Sequence, residues 1–412
     1  MRIILVNGAF DLYGGAEIMN YRIADMLKRH GHEVFFFCSD KKPYYDENYE
    51  YINYFPKYET QIPKNSIKSI RKYYNFEAKN KLREFVKLIK PDVIHIHGFG
   101  VLTPSILDAY KGIPTVMMLH GTYVNICPRG ILLKVDGNCF QNVECRNGRF
   151  YNCIKNRCLG NRFQTYIRRI LLAFVQYLYF THNIDYYIAA SKAIKNKFLE
   201  ADKRLSKNRI EAIYNFLPKN LTENVIPNYS NSGYFLFVGR LEEGKGLDYL
   251  IKAMASLPRD IELHVAGEGE AKNELMPYIK DNNLENVKFV GFKSGEELNE
   301  EYNNCIALIV PSTGYEAFGL INIEAFINGK PVIASNVGGI PEVVEHNKTG
   351  LLFEPGNIEQ LKECILKYKN NPELVIEHGK NAYKKAIENY TEDIYYEKLM
   401  HVYNEVLNEY KK

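Results

Sequence analysis

The chain alternates short apolar runs with stretches of helical period, and the same order occurs in both halves. Arg2 to Val6 is an apolar run ending at Asn7-Gly8; a glycine pair leads into a helical pattern from Ala16 to Arg29, Gly31 stops it, and Glu33 to Cys38 reads as a strand. A helix at Lys81 to Ile89 and strands at Val93 to Ile96, Thr115 to Leu119 and Tyr187 to Ala190 continue the pattern. It starts again at Tyr234, with strands at Tyr234 to Val238, Glu262 to Ala266, Val287 to Val290, Ala307 to Val310 and Pro331 to Ala334. Helices at Asp248 to Ala255, Ala271 to Asp281, Glu296 to Asn303 and Leu320 to Asn328 alternate with them. Strands separated by helices build parallel sheets covered on both faces, so the expected fold class is α/β: two doubly wound, Rossmann-like domains facing across a cleft. Residues 216–233 are rich in Pro, Asn and Ser and read as a linker. The division is then 1–215 for the first domain, 234–390 for the second, and 391–412 for a last helix that packs back on the first domain.

Composition narrows the class. At 412 residues the chain exceeds what one core supports, and 46% hydrophobic with 25% charged residues excludes disorder and collagen-like repeats. No run reaches the roughly 18 apolar residues of a membrane span. Ile170 to Phe180 is too short, contains Gln176 and follows Arg168 and Arg169, so it can lie on a membrane but not cross one. The amino terminus turns polar after Val6 and lacks a signal peptide's long apolar region, which points to a cytoplasmic location. Residues 1–220 carry a balance of +15 and residues 221–412 one of −11. A first half so basic suits an anionic partner such as a membrane surface or lipid phosphate; a plain solvated surface suits it as well. The basic segments 162–179 and 57–90, with interleaved Tyr and Phe, could seat this half on an anionic leaflet, although core packing explains the apolar face of 162–179 equally. No nucleic-acid-binding motif is present, and no nucleic-acid partner is expected.

The chemistry should sit just after strands, where open α/β sheets bind ligands. Gly239-Arg240-Leu241-Glu242-Glu243-Gly244-Lys245-Gly246 follows a strand and opens a helix; its two cations could neutralise a diphosphate or simply solvate a turn. The segment Pro311 to Ala325, PSTGYEAFGLINIEA, is more specific. It runs from a strand into a helix near Gly319, so the amides of Ala317, Phe318, Gly319 and Leu320 offer an anion site. Glu316 precedes that helix and Glu324 lies within it, at most about 12 Å away at 1.5 Å per residue. Neither domain has a full Gly-x-Gly-x-x-Gly after its first strand, which disfavours a dinucleotide enzyme. No Asp-x-Asp triplet occurs to hold a catalytic divalent cation, so metal-independent chemistry is expected. Five of the eight cysteines are Cys127, Cys139, Cys145, Cys153 and Cys158. In a cytosolic chain, clustered thiols suit metal better than disulfides, and Cys139, Cys145, Cys153 and Cys158 are the candidate ligands of a structural zinc; a reduced loop is the alternative.

GRLEEGKG, then STGYEAFGLINIEA with its two glutamates, then GKPVIASNVGGIPEVVEHNKTGLLFEPGN resemble the family 4 retaining glycosyltransferases of the GT-B fold. The amino half fits as well, through Gly14-Gly15-Ala16-Glu17, Asp92 to Gly98, His120-Gly121, Ala190-Ser191 and Ile213-Tyr214-Asn215. The Cys-Pro-Arg-Gly segment with the Cys-rich insertion at about 127–160 resembles a subgroup of that family. The resemblance implies transfer of a hexose or N-acetylhexosamine from a nucleotide diphosphate sugar, UDP-linked first and GDP-linked second, to a glycan or lipid-linked acceptor of the cell envelope. It implies that Glu316 binds donor-sugar hydroxyls, Glu324 the ribose, and Arg240 and Lys245 the diphosphate. By the same resemblance, Gly14 and Gly15 approach the phosphates, His120 lies by the donor sugar, and Phe292 marks the base pocket. The alternatives are a sugar-nucleotide epimerase of the same architecture and a non-catalytic basic module that binds membrane or nucleic acid, which would leave Glu316 and Glu324 without a role.

Overall fold

The computed structural model describes residues 1–8, 14–38, 53–54, 73–121, 133–134, 137–138, 163–179, 181–202, 204–205, 209–230 and 232–411. They form two compact units: Met1–Gly137, Gln141–Tyr214 and Tyr395–Lys412 belong to the first, Asn215–Ile394 to the second.

In chain order the first part of the chain contains β1 (Arg2–Val6), β2 (Glu33–Phe37), β3 (Asn53–Tyr54), β4 (Val93–Ile96), β5 (Thr115–Leu119), a small ribbon of β6 (Leu133–Lys134) and β7 (Gly137–Asn138), β8 (Tyr186–Ala189) and β9 (Ile210–Ala212). Apart from the ribbon, these make one sheet in the order β3-β2-β1-β4-β5-β8-β9, and every pairing in it is parallel. The direction of winding reverses between β1 and β4. Ile3 to Val6 and all of β4, β5 and β8 are buried, as near-continuous apolar strands of a sheet covered on both faces must be. The helix before β4 is Phe76–Ile89, beginning five residues before the expected Lys81, because Asn75 caps it by accepting from the Ala78 amide at 3.1 Å. Its first turn exposes Phe76 and buries only the small Ala78, so periodicity alone misses it.

The second unit contains β10 (Tyr234–Val238), β11 (Leu263–Ala266), β12 (Val287–Gly291), β13 (Cys305–Val310), β14 (Val332–Ser335) and β15 (Gly350–Phe353), in the parallel order β12-β11-β10-β13-β14-β15. That is the doubly wound order, with its reversal between β10 and β13. Sequence periodicity does not reveal β9 and β15, which are edge strands of three and four residues. Within the expected linker the structure has a helix, Lys219–Asn224, none of whose residues is buried; a helix with no buried face leaves no apolar period to read.

The last helix, Glu392–Tyr410, buries Tyr395, Leu399, Val402, Tyr403 and Val406, all but its first residues lying in the first unit. Tyr396 stacks on His30 with ring centroids 3.6 Å apart, Tyr403 Oη lies 2.7 Å from His95 Nδ1, and Tyr410 donates to Asp185 at 3.0 Å. No helix among the described residues is long and apolar enough to cross a membrane.

Candidate active site

The reversal between β10 and β13 brings loop 239–246 against loop 311–319. Gly246 has φ 74°, and a Cβ there would lie 1.8 Å from the Pro311 carbonyl oxygen, so only glycine lets the two backbones meet. The Gly244 carbonyl accepts from the amides of Thr313 at 2.9 Å and Gly314 at 2.8 Å. This stitching brings Lys245 to Glu316, with Nζ 2.7 Å from Oε1, and Ser312 Oγ donates to the same oxygen at 2.8 Å. The Glu316 backbone is held too: its carbonyl accepts from the Gly339 amide at 2.8 Å, and Gly338, at φ 60°, packs so close that a Cβ would fall 2.1 Å from that oxygen.

Burial alone would raise the Glu316 pKa, but the charge and hydrogen bond of Lys245, the Ser312 hydroxyl and the charge of Arg240 outweigh it and hold the carboxyl below its usual 4.5. Arg240 itself is 57% exposed and pairs with Glu242 at 2.9 Å. An exposed pair of that kind is worth at most about 1 kcal/mol, so an arriving anion can take the guanidinium over. Helix Leu320–Ile327 opens after Gly319, at φ 85°, with no side-chain cap; the Asn322 amide is taken by the Gly319 carbonyl at 3.1 Å. Phe318 is buried with its ring 5.7 Å from Tyr390, so it anchors the loop and only its backbone can face a ligand. Glu324 lies on the helix within 3.5 Å of Tyr302 Oη. Phe292 follows β12 and is 72% exposed, open to stack on a flat ring.

In the first unit, Gly14 is the N-cap of helix Gly15–Arg29, extended and without a side-chain cap. His120 follows β5; its Nε2 is 2.8 Å from Nδ1 of His97, which follows β4. Burial lowers the pKa of His120 to about 4 and that of His95 to about 3. His97 is likewise lowered well below 6.5, first by burial and then by its two neighbours. All three rings are therefore neutral at neutral pH.

The family model described as Glycosyl transferases group 1 matches residues 219–385. The model described as Glycosyltransferase Family 4 matches residues 13–220, just over half of the chain. The chain belongs to glycosyltransferase family 4. An uncharacterized glycosyltransferase of Methanocaldococcus jannaschii is 37% identical over 210 residues, covering 50% of this chain and 57% of that protein. The poly(ribitol-phosphate) alpha-N-acetylglucosaminyltransferase of Staphylococcus aureus is 33% identical over 173 residues, covering 40% and 34%. The chain thus spans about half or less of the length of these curated relatives. Among solved structures, sucrose-phosphate synthase from Thermosynechococcus elongatus superposes with a TM-score of 0.75 at 20% identity, covering 99% of both chains. Anabaena HepE in complex with UDP gives 0.68 at 20% identity, covering 98% and 100%. The fold is GT-B, two Rossmann-like domains.

In this family 4 chain the second unit joins Lys245 to Glu316 directly and Arg240 to Glu316 through charge alone. Sequence reasoning missed Ser312 and Gly338-Gly339. Ser312 stands in the quoted segment four residues before Glu316, but its hydrogen bond depends on how the loop folds back. His97 was also missed; its signal was the His-x-His at the end of β4. The proposed zinc ligands Cys139, Cys145, Cys153 and Cys158, with Cys127, lie outside the described residues; among the described residues no group of three or more metal-binding side chains occurs.

Proposed function

We propose that this family 4 protein is a retaining glycosyltransferase that moves a hexose or N-acetylhexosamine from a nucleotide diphosphate sugar to a hydroxyl of a cell-envelope glycan or lipid-linked acceptor. The observation that carries the reading is the Lys245–Glu316–Ser312 constellation beside an uncapped helix N-terminus, at the carboxyl ends of β10 and β13. Glu316, kept ionised, accepts hydrogen bonds from donor-sugar hydroxyls. Lys245, Arg240 and the amides at Ala317 to Leu320 neutralise the diphosphate as the bond from the anomeric carbon to the phosphate oxygen breaks. Glu324 is assigned to the ribose, Phe292 to the base, and Gly14, Gly15 and His120 to the phosphates and donor sugar, as the family resemblance implies. The acceptor oxygen bonds to the anomeric carbon on the face the diphosphate leaves, and its proton passes to the departing phosphate oxygen. With fixed cations in place of an Asp-x-Asp metal site, transfer is expected to proceed without a divalent cation. UDP is the favoured nucleotide; a structural neighbour, Anabaena HepE, has been crystallised with UDP-glucose.

The test is a panel of UDP-, GDP- and ADP-linked hexoses and N-acetylhexosamines with EDTA present, beside Glu316→Ala and Lys245→Ala. Nucleotide release from one donor, reduced about 100-fold or more in both variants, is the expected result. An interconverted sugar still bound to its nucleotide would replace the transferase with an epimerase, and no turnover of any donor would reduce the protein to a binding module. The Cys-rich subgroup and its structural zinc are checked by metal content: one zinc per chain, lost on replacing Cys145 and Cys153 together, is expected, and metal-free active protein would remove the idea.

A further inference from the structure

The His97–His120 pair sits at the carboxyl ends of neighbouring strands β4 and β5, wholly within the first unit. His97 has little freedom to turn away. Its backbone amide donates to the Val6 carbonyl at 2.7 Å, extending the β1–β4 ladder by one residue. Its ring lies between two others, with centroids 4.4 Å from His95 and 5.1 Å from His120, tilted by 34° and 26°. His95 is fixed in turn by Tyr403 Oη at 2.7 Å. His97 is buried, whereas His120 is only partly so.

Two neutral imidazoles joined nitrogen to nitrogen share one proton: one ring donates and the other accepts, so the tautomer of one ring dictates that of the other. We infer that His97 is a positioning residue for His120: it occupies Nε2 in one fixed tautomer and leaves Nδ1 as the ring nitrogen that His120 presents to a bound sugar. This rests on the transferase reading for its consequence in catalysis, but the pairing itself does not. A ring that could flip or exchange tautomers would offer a donor in one state and an acceptor in another, and part of the population would face the sugar wrongly at each turnover.

The first readout is independent of activity. In protein labelled with nitrogen-15 at histidine, the wild type should show His120 in a single neutral tautomer and a coupling between His97 Nδ1 and His120 Nε2 across the hydrogen bond. Averaged tautomers or no coupling would overturn the inference without any variant having to fold. The second readout uses geometry: an asparagine amide reaches where Nδ1 of His97 stands, and a glutamine amide reaches toward Nε2 instead. His97→Leu and His97→Gln should lower kcat about 10- to 100-fold with a smaller change in KM for the donor, and His97→Asn should recover most of the loss. Equal losses in the Asn and Gln variants, or an unchanged kcat in His97→Leu, would sink it. If the wild type turns over no donor, the transferase reading fails while the nitrogen spectra still decide the pairing.

Discussion

Glu316 stays ionised because three neighbours overcome its burial, and removing the strongest of them, Lys245, should reverse the balance. In the wild type its folded pKa lies below the unfolded 4.5, so the stability it contributes is present above pH 4.5 and lost as pH falls through the folded value. In Lys245→Met burial dominates and the folded pKa should rise above 4.5. The carboxylate then favours folding below 4.5 and opposes it as pH rises through the new value. Melting temperatures across this range should therefore show the variant losing most relative to wild type at neutral pH and least in acid; parallel curves would contradict the assignment. At Gly246 the physics is steric. Alanine there must hold φ 74° with a Cβ 1.8 Å from the Pro311 oxygen, and Gly246→Ala should cost about 3 kcal/mol or more in denaturant unfolding. A cost under about 0.5 kcal/mol, the usual size for an unconstrained surface site, would show that the two loops do not need this contact.

Among the elements, helix Phe163–Tyr179 carries a stripe of apolar residues without cover. Ile167, Leu171, Phe174 and Leu178 follow each other at intervals of three and four and are all exposed, while Ala173 on another face is buried. A stripe of this kind on a basic half of the chain suits the interface of an anionic bilayer. Leu171→Glu with Phe174→Glu should reduce co-sedimentation with phosphatidylglycerol vesicles more than tenfold, since each apolar side chain is worth about 1.5–3 kcal/mol when fully withdrawn from water. Unchanged sedimentation with melting temperature preserved would show that this stripe is not a membrane contact. This helix was legible in the sequence by its period, as were most inner strands by their apolar runs. The short edge strands β9 and β15 and the unburied helix Lys219–Asn224 were not, because elements with little buried surface imprint little pattern.

Over the whole molecule, the first unit is built from two stretches of chain: helix Glu392–Tyr410, which follows the second unit in sequence, packs from Tyr395 onward into the first unit's core. Leu399 is fully buried there, and Leu399→Ala should cost about 2–4 kcal/mol. Hydrogen exchange should locate that loss in β4 and β5. Faster exchange confined to β10 and β13 would instead assign the helix to the other unit. The same arrangement makes Tyr403 the partner of His95 on β4, so His95 is fixed by a residue 308 positions further along the chain.

By itself the sequence determined what depends on neighbours along the chain: the alternation of apolar strands with helices, the glycines at strand ends, and the loop from Pro311 into helix Leu320–Ile327. Period and turn chemistry are local, so a few residues suffice to state them. Only the tertiary structure decided which side chains meet. Lys245 and Glu316 are 71 residues apart yet share a 2.7 Å contact, and His95 and Tyr403 are 308 apart at the same distance. Those pairings follow from the strand order, from two backbones close enough to exclude any side chain at Gly246, and from burial, which favours polar groups that meet a partner through space.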